Sequence, residues 1–285
     1  MPKGREILRR IQSIKSTRKT TYAMKLVAGA KLKKIQDLTI SSRDYERALL
    51  AILSNIFIEG YSHVLFEKRA DTETKLIVAI GSSRGLCGGF NSNLKKALEK
   101  FVSNHCCEVF VVGRKLAEIL RFTRKFSIIE VIDIVPDLPD INFTQMVVDR
   151  IKKHYLDKRY QEVKVLYTNF FSVLAPKPEF KVLLPMELEI SRVGEEVKDT
   201  FLFEPGLREA LDYVIPRLVE VKLLQAFLES KCSEHASRMV AMENATRNAG
   251  ELAEKLTLVA NKLRQSGITA EILDIIGGAE AAVSD

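Results

Sequence analysis

Between Pro2 and Pro136 the sequence contains no proline, and after Pro216 it contains none again. Glycine is scarce in that last stretch too, where Gly250 alone precedes Gly267. Proline breaks helices and glycine weakens them, so both ends of the chain are free to form unusually long ones. Long apolar runs are also missing: none approaches the roughly 18 residues that suggest a membrane span. The N-terminus enters charged sequence at Lys3, Arg5 and Glu6 with no apolar signal core, which argues against secretion. The four cysteines, Cys87, Cys106, Cys107 and Cys232, have neither a disulfide framework nor metal-ligand spacing and read as reduced thiols.

Acidic residues are nearly absent from the start of the chain. Between Lys3 and Lys34 stand eleven Lys or Arg and a single acid, Glu6, although the whole chain carries only +7. The remainder is therefore slightly acidic, and this one basic segment should seek an acidic partner. Apolar residues in the same segment recur three or four apart, at Ile7, Ile11, Ile14, Thr21, Met24, Ala28, Leu32 and Ile35, and on to Ile56. The period predicts one helix of about 55 residues, roughly 80 Å long at 1.5 Å per residue. A helix of that length requires a coiled coil or a helical array. The other end supplies the partner. Leu218, Val221, Gln225, Leu228, Cys232, His235, Met239 and Met242 begin a 3-4 repeat that continues through Leu263. It stays in register for about seven heptads, with small residues in its later half. Two long terminal helices around a compact middle predict an antiparallel coiled coil.

The middle reads differently. Residues 75–80, 108–112 and 163–167 are short apolar strand candidates, with a weaker one at 128–132. Helical stretches at 92–102, 114–122 and 143–155 alternate with them, which predicts a small, mostly parallel, Rossmann-like α/β domain. Residues 183–190, continuing through Gly194 to 200–204, read as an extended segment or hairpin before the last helix. The chain thus divides into an N-terminal helix at 1–60, an α/β domain at 70–200 and a C-terminal helix at 206–285. The fold class is α/β plus a long α coiled coil.

The most enzyme-like feature is Gly81-Ser-Ser-Arg84-Gly85-Leu-Cys87-Gly88-Gly89-Phe-Asn91, between a strand and a helix. Such a turn can aim backbone N–H groups at a phosphate. It lacks the Gly-Lys-Ser/Thr of a P-loop, and its first two glycines are separated by three residues rather than one, so a structural or partner-contacting turn fits better. Cys87 could be activated by Arg84 and the following helix, but none of His63, His105, His154 and His235 stands near a catalytic motif to act as its base. The basic helix lacks the reading motif or interleaved aromatics of a nucleic-acid binder, having only Tyr22. It also lacks the Trp or Phe of a membrane-surface helix. No catalytic residue, cofactor site or metal site is expected, nor direct binding to nucleic acid.

Three segments together resemble one family, the gamma subunit of rotary F-type proton-translocating ATP synthases. The first runs from Arg5 through Ile11-Gln-Ser-Ile-Lys-Ser-Thr-Arg-Lys to Met24-Lys25-Leu-Val-Ala28. The second is the glycine-rich loop at 82–91. The third runs from Ala236-Ser-Arg238-Met-Val-Ala-Met242 to Arg264-Gln265-Ser-Gly-Ile268-Thr269-Ala-Glu271-Ile-Leu-Asp274 and the small residues after it. The resemblance covers essentially the whole chain. It implies that the helix pair stands at the centre of the alpha/beta catalytic hexamer, while the α/β domain rests on the epsilon subunit and the membrane c-ring. Met24 and Lys25 are placed by the resemblance at the acidic lever loop of beta, and Arg238, Arg264, Gln265 and Thr269 among polar contacts to the catalytic ring. It places Phe203 and Glu204 in the foot, facing epsilon and the c-ring, and makes Arg84, Gly85, Cys87 and Gly88 a structural loop. ATP chemistry would belong to beta. The chain would sit peripherally on the cytoplasmic face of a bacterial plasma membrane, held there only through the complex. One departure is Ser83, which stands where the family commonly has an acid.

Overall fold

A computed structural model describes residues 2–56, 63–67, 72–157, 160–172, 176–186 and 206–283. Two helices dominate it, α1 (Pro2–Ile56, 55 residues) and α5 (Leu207–Val283, 77 residues). α5 begins before Pro216 and accommodates that proline within its length. Between them lie β1 (Lys75–Ile80), α2 (Phe90–Val102), β2 (Cys107–Val112), α3 (Arg114–Thr123), β3 (Ser127–Ile132), α4 (Ile141–Leu156), β4 (Glu162–Phe170) and β5 (Pro176–Leu184). The strands form one sheet in the order β3-β2-β1-β4-β5. The first four are parallel and β5 runs antiparallel to β4.

β5 corrects the sequence reading, which placed extended chain from residue 183 onward. Pro176 and Pro178 weaken the strand signal there, because proline cannot donate to a ladder. At the sheet edge that missing N–H is harmless, so the strand forms over 176–184 opposite Val163–Phe170. The remaining part of the predicted segment, from residue 187 to 205, lies outside the described residues.

The chain forms two compact units, Met1–Val27 with Met239–Asp285, and Ala28–Arg238. In the larger unit, successive side chains of β1 point to opposite faces of the sheet. Leu76, Val78 and Ile80 join Val147, Val148 and Ile151 of α4, Leu218 and Phe227 of α5, and Leu53 of α1. Ile77 and Ala79 join Leu94 and Leu98 of α2 and Leu116 and Leu120 of α3. Leu32 and Ile35 of α1 meet Leu228, Cys232 and Ala236 of α5 in a third cluster. Thr39 lies beside Cys232 and Arg43 pairs with Glu229, so rising numbers on α1 face falling numbers on α5. α5 is covered on every side here: no residue from 214 to 238 is exposed. A coiled-coil seam accounts for one stripe of that burial, and the sheet accounts for the rest.

The smaller unit repeats the antiparallel pairing. Lys25 forms an ion pair with Glu243, and Thr246 donates its hydroxyl hydrogen to Thr21 Oγ1 at 2.8 Å. Arg18 lies across Gly250, where a Cβ would sit 3.6 Å from the guanidinium carbon. Beyond Ala253 most of α5 is exposed, Leu258 (70%), Leu273 (63%) and Ile275 (72%) included.

Candidate functional site

The glycine-rich loop sits at the carboxyl ends of the parallel strands, and its hydrogen bonds are directed inward. Gly81 N–H donates to Val112 O at 2.8 Å, and its lack of a side chain lets Leu116 of α3 pack directly on the backbone. Ser82 N–H donates to Asn91 Oδ1 at 3.1 Å, and Asn91 Nδ2 returns a bond to Ser82 Oγ at 2.7 Å. Ser82 Oγ in turn donates to Arg84 O at 2.8 Å. Leu86 (φ 61°) and Gly88 (φ 57°) make the left-handed bends that return the chain to α2. Cys87 is buried beside Ser82 and Asn91, and burial pushes its thiol above the ordinary range despite the Ser82 hydrogen bond. A buried thiol with a raised pKa is structural rather than nucleophilic. Ser83, at the departure from the family pattern, accepts the Val135 N–H at 2.8 Å and so ties this loop to the β3–α4 loop.

Open α/β sheets bind ligands where the strand order reverses, at the carboxyl edge. Here that point lies between β1 and β4, and α5 occupies it. Ser230 Oγ donates to Ile80 O, the last residue of β1, at 3.3 Å. Ser233 Oγ donates to Thr168 O, near the end of β4, at 3.0 Å. The crevice that a nucleotide would need is filled by the chain's own helix.

Around this junction is a cluster of charges that sequence reasoning missed, apart from Arg84 and Arg238. Glu234, 4% exposed, is held by Lys231 at 2.9 Å and Arg238 at 2.6 Å. Burial would raise the Glu234 carboxyl, but the two cations outweigh it and hold it below its ordinary range. Arg238 also donates to Gly85 O at 3.4 Å and to His235 Nδ1 at 3.3 Å. Lys31 of α1 meets Asp137 Oδ2 at 2.6 Å, with Arg84 Nη1 3.9 Å from the same oxygen. Burial pulls Asp137 upward, yet the hydrogen bond and charge of Lys31, with Lys231 and Arg84 behind it, hold it below the carboxylate norm. Arg84, Asp137, Lys231 and Glu234 line one cleft. The signal available in sequence was the spacing of Lys231, Glu234 and Arg238, three and four apart on a helix, which is the ion-pairing distance.

His235 gives this cluster a measurable pH response. Burial pushes its imidazole down to about 4, with Glu234 and Asp137 opposing and Arg238 and Lys231 reinforcing. Because the folded value is below the ordinary one, the unfolded chain binds the proton first as pH falls, and stability drops between the two values. From pH 7.5 to pH 5 this residue should account for a loss of about 2 kcal/mol of unfolding free energy. Urea titrations of the chain across that range check this: His235→Phe should flatten the slope, and an unchanged slope would refute the assignment.

Of the other residues singled out from sequence, Met24 and Lys25 are half-buried in the smaller unit, Lys25 in its pair with Glu243. Arg264, Gln265 and Thr269 are exposed on α5, Thr269 Oγ1 donating to Gln265 O at 3.0 Å. Arg238 and the loop residues Arg84, Gly85, Cys87 and Gly88 belong to the larger unit. Phe203 and Glu204 lie outside the described residues. Among the described residues, no group of His, Cys, Asp and Glu could hold a metal, and no helix is long and apolar enough to cross a membrane.

Comparison with known proteins agrees with this architecture. The family model described as ATP synthase matches residues 3–282. The ATP synthase gamma chain of Trichlorobacter lovleyi is 35% identical over 284 residues, covering 97% of this chain and 98% of that one. The ATP synthase gamma chain of Pelotomaculum thermopropionicum is 36% identical over 285 residues, covering 99% of each. In fold, the chain is similar to a chain of the Euglena gracilis mitochondrial ATP synthase rotor, with a TM-score of 0.67 at 19% identity over 94% of this chain and 99% of that one. It is also similar to a chain of the Tetrahymena thermophila mitochondrial ATP synthase central stalk and c-ring, with a TM-score of 0.61 at 24% identity over 79% of this chain and 99% of that one. By the match along nearly its whole length and the identity it keeps to these relatives, the chain belongs to the ATP synthase gamma-chain family.

Proposed function

We propose that this chain is the central rotor shaft of an ATP synthase, passing ion-driven rotation of a membrane c-ring to the catalytic sites of the beta subunits. The observation that supports this most is the surface of the smaller unit. Leu8, Leu26 and Val27 are exposed on α1, which carries the basic segment of the chain, and Leu258, Leu273 and Ile275 are exposed on α5. Exposed apolar surface on that scale fits a part enclosed by partners. Met24, Lys25, Arg264, Gln265 and Thr269 would face the alpha/beta hexamer. Attraction between basic residues and an acidic lever loop suits a contact made and released at every step, because it needs little interlocking of side chains. Phe203 and Glu204 would belong to the foot, against epsilon and the c-ring. In this reading ATP is made or hydrolysed on beta, and the gamma chain is a non-catalytic part. The chain is peripheral, on the cytoplasmic face of a bacterial plasma membrane, with residues 1–60 and 206–285 as shaft and 70–200 as foot.

The test is co-purification of the chain, tagged at a surface loop of the α/β domain, from its native membranes after gentle detergent extraction. The expected result is a single copy per alpha/beta hexamer, with ATPase activity. Recovery alone, or with nucleic acid that is lost at high salt, would overturn the reading.

A further inference from the structure

Two loops at the carboxyl edge of the sheet are each gripped by a different long helix. The β3–α4 loop is held from α1, through Lys31 and Asp137 at 2.6 Å. The β1–α2 loop is held from α5, through Arg238 and the Gly85 carbonyl at 3.4 Å. Ser83 joins the loops to each other by accepting the Val135 N–H at 2.8 Å, so the two grips act on one piece. Behind them Arg238 is fixed in its turn by Glu234 at 2.6 Å.

We propose that this clasp is a torsional joint within the larger unit, and that Lys31 and Asp137 are positioning residues that make the α/β domain and the parts of α1 and α5 packed on it turn together. The apolar contacts at the same place, Leu32, Ile35, Leu228 and Ala236 with Leu138 packed against them, hold the parts together but are non-directional. They resist separation better than sliding. A hydrogen-bonded ion pair is directional, and displacement sideways weakens it steeply. Lys31 and Asp137 are 106 residues apart in sequence, on the helix and on the domain respectively, so their bond resists relative rotation. The buried pair formed by Lys231 and Glu234 adds little net stability for the desolvation it costs, which fits a role in fixing geometry.

The inference rests on the rotor reading, and its test separates the two. A bead is attached to the α/β domain in the assembled, surface-fixed ATP synthase, and its angular fluctuation is recorded while the shaft is stalled. With Lys31→Met or Asp137→Asn, both close in size to the native side chain, the mean-square fluctuation should rise about twofold or more, since a half-exposed ion pair of this kind is lost. The charge-swapped double variant, Lys31→Asp with Asp137→Lys, should bring it back toward the native value. Unchanged fluctuation in both single variants would overturn the joint, and so would a swap that behaves like the sum of its parts. A native complex whose bead never turns on adding ATP would instead overturn the rotor reading.

Discussion

Gly113→Ala is expected to lower the unfolding free energy of the chain by about 3 to 5 kcal/mol, combining backbone strain with overpacking. Gly113 holds φ at 122°, where side chains other than hydrogen are strongly disfavoured. A Cβ there would stand 2.7 Å from both the carbonyl carbon and the oxygen of Gly81, and 3.0 Å from Ser82 O. Those are backbone atoms that cannot rotate away, at the point where β1 hands over to the glycine-rich loop. Gly85→Ala is the control. Nothing lies within 4 Å of a Cβ at that position, so its effect should remain within about 0.5 kcal/mol. Equilibrium urea unfolding of both variants decides the matter, and a Gly113→Ala midpoint equal to the native one would show that the turn can relax.

Glu234→Ala should cost about as much, roughly 3 to 5 kcal/mol, because it leaves two buried cations without a counter-charge. Lys231 is 3% exposed and Arg238 10%, so neither can recover hydration without moving the helix. The companion variant changes all three together, Lys231→Met, Glu234→Leu and Arg238→Met. If the loss in Glu234→Ala comes from stranded charge, this apolar set should recover most of it, since well-packed hydrophobic residues often replace a buried ionic group without loss. A triple variant as unstable as the single one would place the cost in packing instead. The native pair also has a pH signature. Glu234 is held below its ordinary range, so its contribution is complete above the ordinary carboxylate pKa and is lost as pH falls through the folded value.

Much of the fold was legible because its signals are local. The proline-free, 3-4 periodic start of the chain predicted a helix of about 55 residues, and α1 is 55 residues long. The strand candidates at 75–80, 108–112, 128–132 and 163–167 became β1 to β4, with ends shifted by a residue or a few. β5 was hidden by two prolines that only an edge position tolerates. The candidate site was less legible. A lysine and a glutamate three apart on a helix look the same in sequence whether solvated or buried, and the burial of Lys231 and Glu234 depends on the sheet edge above them. Lys31 and Asp137 carry no mutual signal at all, because only the assembled fold brings them together. The loop's inward hydrogen bonds were likewise invisible, although its glycine spacing already argued against a phosphate cradle.

The serines on α5 have an effect beyond satisfying two carbonyls. A helix packed by smooth apolar contacts can step along its axis by one turn and find similar neighbours. α5 cannot, because such a step would carry Glu234 to the place where Ser230 now donates to Ile80 O, setting a carboxylate against a carbonyl oxygen. Ser230 and Ser233 therefore act as a key in a keyway. They index α5 axially against the sheet, so its register on β1 and β4 is set once, when the chain folds.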